Sequence, residues 1–275
     1  MSDTQAAPDL DAIAGEVCSI LGTGRQIAPF SSRYPGFDLK QAYRVAAKVR
    51  ALREKRGESP RGRKIGFTNR TIWAQYGVYA PIWGYVYDRT IHDLDDVRGR
   101  FSLAGLADPR IEPEIIFGLS AAPRPGMHAK ELPACIGWVA QGFEVVQSAF
   151  PDWRFAAADT VAAFGLHGAL LIGPRHPLCG AEEVWASALA SFEIDLFRGG
   201  EPVDHGAAGN VLDGPLFALA HLIDALAEDS ANPPLAAGEI VTTGTLTQAL
   251  PVHAGEVWNT RLTGIALDGV RVEFC

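Results

Sequence analysis

The stretch Glu112-Pro113-Glu114-Ile115-Ile116-Phe117 is followed, about thirty residues on, by Gly142-Phe143-Glu144-Val145-Val146. Each sets glutamate inside an apolar, strand-like run. Burying a carboxylate there is costly unless something compensates its charge. Along an extended chain, residues two apart project to one face, so Glu112 and Glu114 point the same way. Glu144 from a neighbouring strand completes a set of three carboxylates. Such an all-oxygen set suits a hard dication, Mg²⁺ or Mn²⁺, rather than zinc. A lone Glu-x-Glu is commonly two solvated side chains on an outer strand face. Pro113 also argues for an edge or a bulge that turns one glutamate away.

Around these runs lie 275 residues, enough for one large domain or two small ones with a real core. Hydrophobic residues make up 48% and charged residues 20%, as in an ordinary globular protein. A net charge of −8 argues against a nucleic-acid partner, which calls for a basic surface. No apolar run reads as a membrane helix of ~20 residues. The start, Met1 to Pro8, lacks the basic and apolar segments of a secretory signal. Cys18, Cys135, Cys179 and Cys275 form no Cys-x-x-Cys and read as free thiols of a reducing cytoplasm. Asn69-Arg70-Thr71 fits a glycosylation pattern, which without such a signal carries no weight.

Apolar spacing predicts helices over 9–21, over 38–56 with Asp38 as N-cap and Gly57 past the end, and over 215–228 with Pro215 in the first turn. The basic residues of the second helix, Arg53 among them, read as a solvated face. From about residue 63, short runs rich in β-branched and aromatic residues predict strands: 64–68, 85–87, 114–117, 143–146, 169–172 and 191–197. Gly199-Gly200 and Leu267-Asp268-Gly269-Val270 predict hairpin turns. Strands and helices do not alternate regularly, which favours a mixed sheet over a doubly wound fold. The layout is a helical segment, 1–62, packed on a sheet-rich body, 63–275.

No P-loop, dinucleotide fingerprint, Gly-x-Ser-x-Gly or His-Glu-x-x-His is present. The seven histidines have no ligand spacing, and His221 reads as a packed core residue. Lys64 ends the basic Arg61-Gly62-Arg63 and opens an apolar run. A lysine at the mouth of a strand beside a cation would have a lowered pKa and move protons at neutral pH. Gly66 lets a ligand approach the backbone, and Asp88 would orient the lysine or a water. The aromatic stretch from Trp73 to Trp83 reads either as pocket wall or as core.

In order, Lys64-Ile65-Gly66-Phe67-Thr68, Gly84-x-x-x-Asp88, Glu112-Pro113-Glu114-Ile115, Phe143-Glu144-Val145-Val146-Gln147-Ser148 with Asp152-Trp153, and Gly244-Thr245-Leu246-Thr247 before Pro251-Val252 resemble one family. It is the 2-keto-4-pentenoate hydratase and 2-oxohepta-4-ene-1,7-dioate hydratase branch of the fumarylacetoacetate hydrolase superfamily, and the likeness covers nearly the whole chain. The resemblance implies an α+β fold with a mixed β-sandwich or roll core. It implies a Mg²⁺ or Mn²⁺ site on Glu112, Glu114 and Glu144, catalytic roles for Lys64 and Asp88, and substrate contacts from Gly66, Thr68, Gln147 and Thr247. It also implies a dimer-based homo-oligomer acting on a small 2-oxo acid or its dienol, possible in complex with a pathway decarboxylase or aldolase. The expected reaction is hydration of a 2-hydroxy-2,4-dienoate in the catabolism of aromatic or cyclic compounds. Decarboxylation of the 4-oxalocrotonate type, C–C hydrolysis of an acylpyruvate and a non-catalytic partner role are the alternatives. The chain departs from the family pattern at Ala162-Ala163-Phe164-Gly165-Leu166-His167, where an Asp-Asn pair and serines are usual, and at Gln147, where Asp is usual. His167 is thereby a candidate acid, base or substrate contact.

Overall fold

The computed structural model describes residues 8–275, apart from the side chains of Ile72, Gln75 and Tyr76. Residues 1–7, on which most of the N-terminal reading rests, lie outside the described residues. The strands in chain order are β1 (Pro60–Gly66), β2 (Ile82–Tyr87), β3 (Ile91–Asp93), β4 (Arg100–Phe101), β5 (Arg110–Leu119), β6 (Ile136–Val146) and β7 (His167–Ile172). They continue as β8 (His176–Pro177), β9 (Glu193–Arg198), β10 (Glu201–Ala207), β11 (Ile240–Thr242), β12 (Leu250–Pro251), β13 (Val257–Thr263) and β14 (Arg271–Phe274).

One sheet runs β2-β1-β11-β5-β6-β7-β3, with β12 added to β5 and β8 to β6. The other runs β10-β9-β13-β14-β4. Pairs β1–β11 and β3–β7 are parallel, and the rest of the first sheet is antiparallel, so the sheet is mixed as expected. Ile111, Phe143, Val145 and Leu171 of the first sheet share an apolar cluster with Leu196, Trp258, Val272 and Phe274 of the second. That shared layer makes the sandwich-like roll.

Local chemistry accounts for the helices. Asp9 caps Leu10–Ile20, its carboxylate accepting from the N–H groups of Asp11 and Ala12. Asp38 and Gln41 form a capping box on Leu39–Lys55. These two helices share one apolar cluster with Phe30, Ile82, Phe150 and the segment around Val161 to Leu166. The N-terminal helices therefore pack on the helix Ala157–Ala162 and the turn that follows it, beside Ile82 of β2. Helix Pro215–Ala227 buries Leu216, Leu219, Leu222, Ile223 and Leu226.

Four local expectations change. Arg53 is buried rather than solvated: its guanidinium meets the Glu58 carboxylate and lies 3.6 Å from the centre of the Tyr87 ring. Charge pairing and cation–π contact there replace water. His221 faces outward, because Leu219 and Leu222 occupy the buried face of its helix. The β13–β14 hairpin forms, but its connection spans 264–270 instead of a tight turn at 267–270. Leu267 and Val270 of that connection are buried, which draws it inward. Finally, Ala208–Ala227 does have the length and mean hydropathy, 1.2, of a membrane span, against the sequence reading. Half of it is buried inside the fold, and Gly214 separates a short helical turn from the helix proper.

Candidate active site

Strand pairing brings the three glutamates together. In the β5–β6 register Glu112 stands opposite Glu144, and Glu114 opposite Gly142. Pro113 neither ends the strand nor bulges it, and pairs in register with Phe143. Its carbonyl accepts from the Leu246 N–H at 3.0 Å. A strand residue's N and C=O point to the same side, so the missing proline donor faces the loop between β11 and β12. No ladder bond is lost there, and both glutamates keep one face.

One oxygen from each of Glu112, Glu114 and Glu144 lies within 4.8 Å of the others. Glu114 and Glu144 are fully buried, while Glu112 keeps some exposure at the edge of a cleft. Glu114 Oε2 accepts from the Gly244 N–H at 2.7 Å, and its Oε1 has no hydrogen-bond partner. Gly244 has φ +99°, and a Cβ on it would lie 1.8 Å from Thr68 Oγ1, so only glycine delivers that N–H. Glu144 Oε2 is 3.1 Å from Lys64 Nζ yet makes no well-formed hydrogen bond. Three converging carboxylates, two of them with a buried oxygen lacking a hydrogen bond, fit a hard cation.

The electrostatics agree. Burial, then the charges of Glu144 and Glu112, raise the Glu114 carboxyl well above its ordinary value. Burial raises Glu112 to about 7 against the pull of Lys64. Glu144 goes the other way, to about 2: burial pushes it up, but Lys64 and His167 outweigh burial. Lys64 does not show the lowered pKa expected of it. Burial pulls it down, but Glu144, Glu112 and Glu114 together hold it above its ordinary value. Lys64 is therefore a buried ammonium inside a carboxylate cage.

The cage opens on a cleft of about 460 Å³, part of it open to solvent. Lys64, Glu112 and Thr245 lie among its lining residues, with Phe67, Trp153, Phe155 and Leu166 forming much of the wall.

No family model matches the chain. Two curated relatives span nearly all of it. A 2-hydroxyhexa-2,4-dienoate hydratase from Comamonas testosteroni is 30% identical over 252 residues, 91% of this chain and 92% of the relative. The chain belongs to the 2-keto-4-pentenoate hydratase branch of the fumarylacetoacetate hydrolase superfamily. A 2-keto-4-pentenoate hydratase from Burkholderia vietnamiensis is 29% identical over 275 residues, 100% of this chain and 99% of the relative. Among solved structures, a 4-oxalocrotonate decarboxylase from Pseudomonas putida G7, complexed with magnesium and adipate, aligns with a TM-score of 0.85 at 28% identity and covers 97% of each chain.

Within this hydratase family member, the residues expected from sequence divide into two groups. Lys64, Gly66 and Glu112 line the cleft, and Glu114 and Glu144 stand beside Glu112 and Lys64. The other five are placed elsewhere. Asp88 exchanges hydrogen bonds with Ser59, its Oδ1 accepting at 2.9 Å. Gly84, not Asp88, stands opposite Lys64, so Asp88 lies about 13 Å further along the strand. Gln147 turns away from the cleft, its Oε1 accepting from Ala107 N–H and its Nε2 donating to the His167 carbonyl. Thr68 packs against Gly244, and its buried Oγ1 has no hydrogen-bond partner. Thr247 donates to the Gln248 carbonyl, and it is Thr245 that lines the cleft.

His167 sits behind the cage. Its Nδ1 is 2.7 Å from Glu144 Oε1 and its Nε2 2.9 Å from Thr90 Oγ1, so both ring nitrogens are engaged. Burial lowers its pKa against the pull of Glu144. The ring fixes one Glu144 oxygen and leaves the other facing Lys64, a geometry suited to a positioning role. His167→Ala should weaken Mg²⁺ binding about 10–100-fold, the usual cost of removing a group that orients a ligand. His167→Gln, whose amide N–H can replace the ring donor, should recover part of it. Calorimetric Mg²⁺ titration of the two variants, with circular dichroism as a folding control, decides this. Unchanged affinity in the alanine variant would remove the role. Thr90 and Phe155 had no sequence signal, since their neighbours are set by strand pairing and loop path, whereas Phe67 and Trp153 stand within two of the ordered motifs.

Proposed function

We propose that the chain is a metal-dependent hydratase that converts a 2-hydroxy-2,4-dienoate into a 4-hydroxy-2-oxo acid. The observation that carries this is the convergent Glu112–Glu114–Glu144 set with Lys64 against it, Lys64 and Glu112 lining one cleft. Hydratase relatives at about 30% identity over most of the chain support the reaction class. Bound there, Mg²⁺ or Mn²⁺ supplies electrostatic stabilisation to the negative charge that develops on the 2-oxygen.

The chain's own groups do the rest. Glu112, Glu114 and Glu144 would hold the cation. Lys64 Nζ holds the proton that reaches the terminal carbon and is recharged by the proton leaving the enol oxygen, giving the conjugated ketone. Water then adds at the carbon conjugated to that ketone. Thr245, which lines the cleft and donates its hydroxyl to the Thr247 carbonyl, would contact the polar end of the substrate. Cytoplasmic location and assembly as a homo-oligomer belong to the same proposal.

The test is a Mg²⁺-dependent assay with 2-hydroxypenta-2,4-dienoate, following loss of dienol absorbance and identifying the product. 4-Hydroxy-2-oxopentanoate, formed with Mg²⁺ and abolished by EDTA, is the expected result. A second reading, decarboxylation of a 2-oxo diacid, draws on the decarboxylase structure that aligns over 97% of the chain. Release of CO₂ from 4-oxalocrotonate, with no hydration, would replace the first reading by the second.

A further inference from the structure

The two oxygens of Glu144 are treated differently. Oε2 faces Lys64 Nζ at 3.1 Å and makes no well-formed hydrogen bond, while Oε1 is 2.7 Å from His167 Nδ1. His167 belongs to the segment 162–167 in which this chain departs from the family pattern.

The ring is itself held at its far nitrogen, where Nε2 lies 2.9 Å from Thr90 Oγ1. Thr90 closes the short 3₁₀ turn Asp88–Thr90 between β2 and β3. Its hydroxyl accepts from the Tyr87 N–H at 3.3 Å and lies 3.0 Å from the Tyr87 carbonyl. Asp88 anchors that turn from the other side. Its carboxylate accepts from the Ser59 N–H at 2.9 Å, and its own N–H donates to the Ser59 carbonyl at 3.0 Å. β3 then runs parallel to β7, with Ile91 opposite Leu170, which brings Thr90 to the end of β7 where His167 stands. Asp88, expected among the reacting groups, thus sits two residues from a hydroxyl that reaches the carboxylate cage through one ring.

The direction of each hydrogen bond follows from the ends of this chain. As the partner of the Lys64 ammonium, Glu144 is a carboxylate and only accepts, so Nδ1 carries the proton between ring and carboxylate. Nε2 is then an acceptor in a neutral ring and a donor in a charged one. A hydroxyl meets either case. It donates to a bare Nε2, or it accepts from Nε2–H while donating to the Tyr87 carbonyl. Thr90 therefore secures the ring whichever charge the ring carries.

We propose that Thr90 is a positioning residue of the metal site, holding the His167 ring so that Nδ1–H stays on Glu144 Oε1 and Oε2 is the oxygen left for the cation. This rests on the metal site proposed above and extends it by one residue. Without the hydroxyl, the ring is fixed at one end only and no longer holds the carboxylate in one direction. Groups that orient a metal ligand in this way commonly carry about 10–100-fold in metal affinity.

The test reads the ring and the metal separately. In metal-free protein labelled with ¹⁵N-histidine, the buried Nδ1–H should give a proton resonance far downfield, assigned by its absence from His167→Ala. Wild type and Thr90→Ser should show it, and Thr90→Val, which keeps the shape without the hydroxyl, should lose it. In calorimetric titration Thr90→Val should bind Mg²⁺ about tenfold more weakly than wild type, and Thr90→Ser should recover most of that loss. In the His167→Ala background Thr90→Val should cost nothing further, because it acts through the ring. Circular dichroism controls for folding. Either a retained resonance or an unchanged Mg²⁺ affinity in Thr90→Val overturns the proposal, as does a resonance missing from the wild type. An equal loss of affinity with and without His167 also overturns it, marking Thr90 as a shaper of the turn alone. A wild type that shows the resonance but binds no Mg²⁺ overturns the metal site itself, a failure distinct from the others.

Discussion

Lys64→Met should lower turnover of 2-hydroxypenta-2,4-dienoate by about 10³-fold, within the 10²–10⁴ range for removing a positioned proton carrier. Methionine keeps most of the volume and lacks only the ammonium. Lys64 is 3% exposed and its Nζ stands 3.1 Å from Glu144 Oε2, so water has little room to replace it. Loss of the ammonium also changes how stability depends on pH. In the wild type Glu144 sits at about 2, below its ordinary value. A depressed carboxyl stabilises the fold above its unfolded pKa, and that contribution is lost as pH falls toward the folded one. Lys64 is a main cause of the depression. Without it, the metal-free variant should lose stability most at neutral pH, on the order of 3 kcal/mol for a buried charge left unpaired. The loss should be small near pH 4, where Glu144 protonates readily, and Mg²⁺ should restore much of it at neutral pH. Initial rates and thermal melts with and without EDTA read both effects. Turnover within tenfold of wild type would rule out the lysine as proton carrier.

Glu114→Gln should do two opposite things. It removes one of three charged ligands and should weaken Mg²⁺ binding by at least about 100-fold, taking activity with it. It should also make the metal-free protein more stable at pH 8. Burial and the neighbouring carboxylates hold Glu114 well above its ordinary pKa, and Glu112 at about 7. A group whose folded pKa is raised contributes stability below its unfolded pKa, and loses it as pH rises through the folded one. The metal-free wild type should therefore weaken between about pH 4.5 and 7. Glutamine has the same shape, keeps an oxygen for the Gly244 N–H and carries no charge to bury. The expected gain at pH 8 is about 1–3 kcal/mol, each kcal/mol shifting Tm by about 2–4 °C for a protein of this size. Excess Mg²⁺ should reverse the order, since it stabilises only the form that binds it. A glutamine variant with wild-type Mg²⁺ affinity would falsify the placement of the metal.

The features legible in the sequence are those governed by short-range rules. Period-two alternation puts Glu112 and Glu114 on one face whatever the sheet looks like. Asp38 three residues before Gln41, and proline at the start of 215–227, mark helix starts through local hydrogen bonding alone. Ordered motifs spread over the chain were enough to name the family. The misplacements share one cause. Gly84-x-x-x-Asp88 sets a spacing along β2, but only the β1–β2 register shows that the partner of Lys64 is Gly84. Arg53 lies on a basic helix, and only the packed tertiary structure supplies Glu58 and Tyr87 to bury it.

By itself the sequence placed the central parts of several longer strands, set Glu112 and Glu114 on one face and pointed to a hard-cation site. Those properties depend on neighbours a few residues away. Tertiary structure alone decided that Glu144 stands opposite Glu112, that His167 grips Glu144 from behind, and that loops bring Phe67, Trp153 and Phe155 to one corner. Register and loop path are set by the packing of elements far apart in the chain, and local spacing carries no record of that packing.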